Sequence, residues 1–395
     1  MTPGSQRAGR FIREPTADYS AFVPKPLPPD PSLQLTPEIV VALSEADTAL
    51  GRLDGIVDVV PDPDLFVGMY VRREAVLSSQ IEGTQSSLGD LLQEELEPAP
   101  EAVTDVQDIV RYVAAMNYGL RRLDSLPLSL RLIREIHEEL LKNGRGSTAT
   151  PGEFRRTQNW IGPEGATLAT ASFIPPSVPE MKTALGDFEN FLHGPRDFPT
   201  LVEVGLAHAQ FETIHPFLDG NGRVGRLLIT LLLVERGVLA RPLLYLSHYF
   251  KLHRLEYYDR LTAVRLDGDW EGWIRFFLRG VKSTATEATQ TAKKIFQLRE
   301  EHRQLVVDHG MGQHALILLS ELFRRPVVDV NRAAEIMSTS FATANGVVRR
   351  MESVGILEET TGQKRFRKYR YEPYVKLFEE VEEGPTAPAE VTAPG

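Results

Sequence analysis

Apolar residues recur every three to four positions through most of this chain and alternate strictly only in short stretches, a pattern that predicts a mainly α protein. Residues 37–53 and 103–120 read as helices inside an N-terminal helical region, 36–125. Leu201, Val204, Ala207, Phe211 and Ile214 hold helical spacing and predict an amphipathic helix that ends at His215. The apolar run 227–234 is Leu-rich and stops at Gly237, so it reads as a buried helix. Between these lie two extended segments, 159–163 and 170–176, joined by Gly-rich residues and predicting a β-hairpin. Pro175 and Pro176 allow little pairing after Ile174, which makes that strand an edge able to accept a peptide by strand addition.

Toward the C-terminus, helices over 315–323, 331–337 and 342–354 precede strands over 356–359 and 366–371 around a turn at Gly362. That order predicts a winged helix-turn-helix over 310–372. The remaining divisions are an extended segment over the surface (1–35), a core (126–285), a charged helical linker (286–309) and an acidic, Pro-rich tail (373–395). Residues 381–395 have the composition of a disordered segment.

Composition changes this picture only at the edges. The 395 residues suffice for more than one domain, and no apolar run approaches the length of a membrane span or follows the pattern of a signal peptide. With no cysteine there are no disulfides, thiolate zinc sites or cysteine nucleophiles, which fits a cytoplasmic location. A net charge of −10 argues against bulk affinity for nucleic acid. Within 310–372, however, ten Lys and Arg face seven Asp and Glu, and Lys364, Arg365, Arg367, Lys368 and Arg370 all fall on the wing. A DNA or a protein partner is expected there.

The chemistry concentrates in His215-Pro216-Phe217-Leu218-Asp219-Gly220-Asn221-Gly222-Arg223-Val224-Gly225-Arg226. These residues supply a base, an oxygen ligand for Mg²⁺, glycines that let backbone amides approach an anion, and two guanidinium forks for phosphate oxygens. The second helix begins within the loop, so its positive end favours a phosphate. Three plainer readings compete. The G-x-G-x-x-G spacing of Gly220, Gly222 and Gly225 matches a dinucleotide-binding expression, but a helix rather than a strand precedes it. His215 alone reads as a core histidine, and Asp-Gly-Asn-Gly alone as a turn.

The twelve residues together resemble the Fic family signature HPFx[D/E]GNGRxxR. The resemblance implies a Fic-type helical core with a flap, and transfer of AMP from ATP to a Ser, Thr or Tyr hydroxyl of a target protein, including the enzyme itself. It makes His215 the base and Asp219 the Mg²⁺ ligand. Gly220, Asn221 and Gly222 become the anion nest, with Asn221 on the α-phosphate, and Val224 and Gly225 continue the nucleotide site. Arg223 faces the β-phosphate and Arg226 the γ-phosphate. Ser78, Glu82 and Gly83 resemble the family's inhibitory motif S-x-x-x-E-G, in which the glutamate pairs with the second arginine, here Arg226. The residues agree locally: Ser78 and Glu82 share a helix face, and Glu82 in a last turn closed by Gly83 opposes the macrodipole by roughly 0.3–1 kcal/mol. The hairpin resembles the family's flap, with Thr170, Ala171, Ser172 and Phe173 beside the nucleotide and Phe173, Ile174, Pro175 and Pro176 docking the target. Tyr249, Tyr257 and Arg265 fall where family members line the base pocket. Homodimer formation is compatible with the resemblance. Removal of AMP by hydrolysis, with Glu82 orienting water, and nucleotide sensing by a winged-helix regulator are the alternatives.

Overall fold

A computed structural model describes residues 7–14, 19–58, 64–97, 105–142, 148–163 and 165–379. Its first elements are β1 (Gly9–Arg13), β2 (Ser20–Pro24), α1 (Pro37–Asp58), α2 (Asp64–Ile81), α3 (Leu88–Leu96), α4 (Asp105–Leu123), α5 (Leu130–Leu141) and α6 (Val178–His193). There follow α7 (Thr200–Ile214), α8 (Asn221–Glu235), α9 (Ser247–Leu252), α10 (Arg254–Asp267) and the long α11 (Trp270–Asp308). The chain ends in α12 (Gly312–Leu322), β3 (Val327–Asp329), α13 (Val330–Ile336), α14 (Phe341–Ser353), β4 (Glu358–Glu359), β5 (Lys368–Arg370) and α15 (Glu372–Glu379). No helix among the described residues is long and apolar enough to cross a membrane.

Two compact units share these elements. The first comprises Met1–Val59, Glu74–Ser86 and Glu101–Thr286, and the second Val60–Arg73, Ser87–Pro100 and Glu287–Gly395. In the first unit α7 is the central element. Its residues from Leu201 to Ile214 are buried without exception, so it is enclosed on all sides and not amphipathic. The apolar stripe seen in the sequence is real, but the intervening Glu203, His208, Gln210, Glu212 and Thr213 are buried as well. Several of them find partners inside: Gln210 Nε2 donates to Lys25 O (2.8 Å) and Thr213 Oγ1 to Ala209 O (2.8 Å). The helices α6, α8 and α10 and strand β2 all contact α7. Residues 1–35 do not simply run extended over the surface. β1 and β2 pair antiparallel, with fully buried Phe22 packed edge-on against Phe11 at 5.2 Å.

The second unit contains residues 87–97, which the sequence pattern grouped with the N-terminal helices. Ser87 and Asp90 form a capping box at α3, and Leu88, Leu91 and Leu92 face inward. The C-terminal elements follow the order expected of a winged helix-turn-helix. α13 and α14 are capped by Asp329 and Ser340, and β5 lies between β3 and β4 in a three-stranded antiparallel sheet. β3 has only three residues, too few for alternation to show in the sequence. Where the tail was expected to begin, α15 buries Tyr374, Val375 and Phe378. The expectation of disorder over 381–395 lies outside the described residues.

Candidate active site

His215 follows the last turn of α7 with φ 48° and ψ 61°, a left-handed conformation uncommon outside glycine. Its carbonyl accepts from Arg155 Nε (3.1 Å) and Asn159 Nδ2 (3.2 Å). Arg155 is buried, with no carboxylate bonded to it among the described residues; its other nitrogens donate to Thr157 O (3.2 Å) and Pro176 O. Burial pushes its pKa down to about 10. One guanidinium thus joins the signature loop to both ends of the flap.

The loop is closed from within. Asn221 Oδ1 accepts from Phe217 N and its Nδ2 donates to Phe217 O, both at 2.8 Å. Gly220, at φ 77°, turns the chain into α8. Outside the loop, His137 stacks on Phe217 with ring centroids 3.7 Å apart. Gly152 N donates to His137 Nδ1 (2.9 Å), so the ring proton sits on Nε2 and points at Asp219 O, 3.0 Å away.

Arg226, one turn into α8, is held from one direction only. Its Nε donates to Ser78 Oγ (2.8 Å), and Nη2 donates to Ser78 O (2.9 Å) and Glu82 Oε1 (2.7 Å). The Arg226 side chain is 2% exposed, but that of Glu82 is 40% exposed. The expected ion pair therefore forms with only one partner buried. Partial burial pushes the Glu82 carboxyl up, and Arg226 outweighs it, leaving the group below its ordinary value. Glu82 lies one residue beyond α2 rather than in its last turn, and Gly83 closes the helix at φ 100°. A side chain at Gly222 would collide with the Glu82 carboxylate. That carboxylate rests on the first turn of α8, where the free N–H groups and dipole favour an anion.

Other charged groups around the loop are incompletely paired. Arg223 reaches Asp219 at only 3.4 Å, and its buried Nε has no partner among the described residues. The Asp219 side chain is 48% exposed. Glu212 lies against Gly225, its buried Oε1 unbonded, and burial pushes its pKa up to about 7. Burial also holds half-buried His215 well below its ordinary value, with the Arg265 charge acting in the same direction. His215 is therefore neutral at physiological pH, the state a base requires.

The structure brings together Ser78, Glu82, His215, Asp219, Arg223 and Arg226, with the Arg265 charge acting on His215 and Tyr257 acting on Arg226. Both polar atoms of the Asn221 amide are bonded to Phe217 and shape the loop. Pairing in the flap is a single bridge among the described residues, Ile161 to Phe173. Ile174, Pro175 and Pro176 are buried, and their carbonyls accept from Phe22 N, Gln158 Nε2 and Arg155. They do not form an open edge. Of the flap residues expected beside the nucleotide, Thr170 and Ser172 are exposed and Ala171 and Phe173 half-buried. Arg265 lies under Phe173, its guanidinium carbon 3.9 Å from the ring centre, and Nε reaches Thr213 Oγ1 at 3.3 Å. Tyr257 is buried, its hydroxyl 2.9 Å from His208 Nε2. Tyr249 packs on Phe276 and crowds Gly280 of α11, away from the signature loop. Sequence reading missed His137, signalled only as a polar residue on the apolar face of α5, and Arg155, which sits among mostly polar neighbours and gave no signal.

Comparison with known proteins agrees with this geometry. Residues 40–121 match the profile described as Fic/DOC family N-terminal, and residues 127–233 that of the Fic/DOC family. The protein adenylyltransferases Fic of Culex quinquefasciatus and Aedes aegypti are each 30% identical over 203 residues. These matches cover 50% of this chain but only 37% of either relative. The crystal structure of a Fic family protein from Desulfovibrio desulfuricans G20 superposes with a TM-score of 0.54 at 18% identity, covering 86% of this chain and 97% of that one, which shows a shared fold. Both profiles fall on the helices that build the loop and the Ser78–Glu82 contact with Arg226, so the chain carries a Fic/DOC N-terminal region and a Fic/DOC domain.

Proposed function

We propose that the protein is a self-restrained adenylyltransferase that moves AMP from ATP to a hydroxyl side chain of a target protein. The observation that carries this reading is the seat of Glu82 on Gly222 and Arg226, the position an ATP phosphate would take at the α8 N-terminus. Neutral His215 would accept the proton of the target hydroxyl. The hydroxyl oxygen then bonds to the α-phosphorus, the bond to the bridging oxygen breaks, and pyrophosphate leaves. Arg223, with its unbonded Nε, and Arg226, once freed, supply positive charge for the leaving group. The donor set also suits Mg²⁺: Asp219 is an exposed carboxylate beside an anion site, and Mg²⁺ commonly takes one or two carboxylates with phosphate oxygens. Asp219 would hold the ion, which when bound would neutralise phosphate charge.

The core over 126–285 would be the catalytic domain, acting where ATP is available in the cytoplasm. The C-terminal elements would form a winged-helix module for a separate DNA or protein partner. Glu82→Gly tests the restraint. Because the carboxylate is substantially solvated, its loss should release only about 1–2 kcal/mol, raising labelled-AMP incorporation roughly 5- to 30-fold. Unchanged or lower incorporation by folded protein would refute the restraint. A second reading, hydrolytic removal of AMP, is favoured by the same exposed carboxylate, which could orient water, and predicts that Glu82→Gly abolishes release of AMP from a modified protein.

A further inference from the structure

Glu74 lies on α2 four residues before Ser78 and eight before Glu82, so the three project from one side of the helix. It is 2% exposed, and no cation bonds to it among the described residues. Its Oε1 accepts from Tyr112 OH on α4 (3.1 Å) and Ser247 Oγ at the start of α9 (2.5 Å), while Oε2 faces Ser247 N at 3.3 Å. Tyr112 and Ser247 are fully buried. Burying a carboxylate on hydroxyl and amide donors is expensive, and a leucine would fill the space at less cost. What the polar contact adds is direction. Any rotation or one-turn slip of α2 would strand Glu74 without its donors. The same rotation and height place Ser78 and Glu82 on Arg226.

We propose that Glu74 is the positioning residue of the restraint: it registers the end of α2 against α4 and α9, and the hold of Ser78 and Glu82 on Arg226 depends on that registration. The inference rests on the restrained-transferase reading and adds a residue outside the arginine contact.

The test measures labelled-AMP incorporation by the full chain for wild type, Glu74→Leu, Glu74→Gln, Glu82→Gly and the Glu74→Leu/Glu82→Gly pair, with thermal melting alongside. Glu74→Leu should gain activity, about 3- to 10-fold, whereas simple structural damage would lose it. Glu74→Gln keeps an acceptor for both hydroxyls and should return within about twofold of wild type. The double variant should not exceed Glu82→Gly, because both changes remove one restraint. If Glu74→Leu fails to fold, Ser247→Ala removes a donor to Glu74 from outside α2 and should give a gain in the same direction. A gain in Glu82→Gly with none in Glu74→Leu or the donor variant overturns the Glu74 assignment and leaves the restraint standing. An additive gain in the double variant overturns it too. Failure of Glu82→Gly itself to gain activity removes the restraint, and the Glu74 assignment with it.

Discussion

The signature loop and the wing are both short basic turns punctuated by glycine, yet the fold treats their charges in opposite ways. In the loop, Arg226 is buried and bonded three times, and neighbouring main-chain groups are fixed by Arg155, Asn159, Asn221 and His137. In the wing, Lys364 and Arg365 are exposed and Arg367 bonds only the carbonyl of Gln363, at 2.8 Å. Lys368 and Arg370 nominally belong to the same basic cluster, but they pair with Glu97 and Glu372. Counting cations in a sequence therefore overstates the wing and understates the loop. Charges on a loose turn remain available to any anion, whereas those on a fixed loop are organised toward one location.

The largest test of this contrast removes the base. His215→Ala should lower AMP transfer by roughly 10²–10⁴-fold or more while nucleotide affinity changes little, since the imidazole acts on the target hydroxyl. Titration calorimetry with ATP, alongside incorporation, would separate these effects. A parallel loss of ATP affinity would mean that the ring shapes the nucleotide site instead.

Much of this was legible because a fixed loop needs particular residues at particular offsets. His215 through Arg226 declared both the family and the turn into α8, and the Ser78–Gly83 spacing pointed to the arginine contact. What stayed hidden depends on contacts across long sequence separations. Nothing near Arg155 shows that it will bond the carbonyl of His215, and Glu74 looks like an ordinary surface residue until α4 and α9 cover it. The flap misled for a related reason. Its prolines correctly suggested little pairing, but the unpaired carbonyls were then taken up by β2, Gln158 and Arg155 instead of remaining open. Tyr249 and Tyr257 show that an aromatic at the expected position can turn into the core.

A smaller effect concerns pH. Burial and the Arg265 charge lower the His215 pKa, so the neutral base persists as pH falls through 6.5, and protonation sets in only at much lower pH. Transfer by the Glu82→Gly enzyme should therefore show no loss assignable to His215 between about pH 7.5 and about pH 5.5, one unit either side of the ordinary histidine value. Glu212 and Glu74, each raised to about 7 by burial, also titrate in this range. Repeating the profile with the paired Glu212→Gln and Glu74→Gln substitution keeps the readout on the histidine. A limb with apparent pKa near 6.5 that survives this substitution would show that the ring is open to protonation, and that the loop is looser than its contacts indicate.

The smallest effect is expected at the wing, and it separates available charge from counted charge. Replacing Lys364, Arg365 and Arg367 with glutamine removes cations that pair with no carboxylate among the described residues, so stability should move by no more than about 0.5 kcal/mol. AMP transfer should stay within about twofold of wild type, because these residues belong to the second compact unit and the loop to the first. Replacing Lys368 and Arg370 instead removes the ion pair of Glu97 and leaves Glu372 with Lys376 alone; the half-buried Arg370 pair, at 2.5 Å, should make this variant the less stable of the two. If the module binds DNA, the first variant should flatten the salt dependence of binding by roughly 2.7, at about 0.9 per phosphate contact, and the second by far less. Gel shifts over a salt series, with melting curves for both variants, would decide. Equal flattening by the two would mean that Lys368 and Arg370 exchange their carboxylates for phosphates, and that the wing keeps all five charges in play. No shift of any DNA by the unmodified protein at low salt would assign the free cations to a protein partner instead.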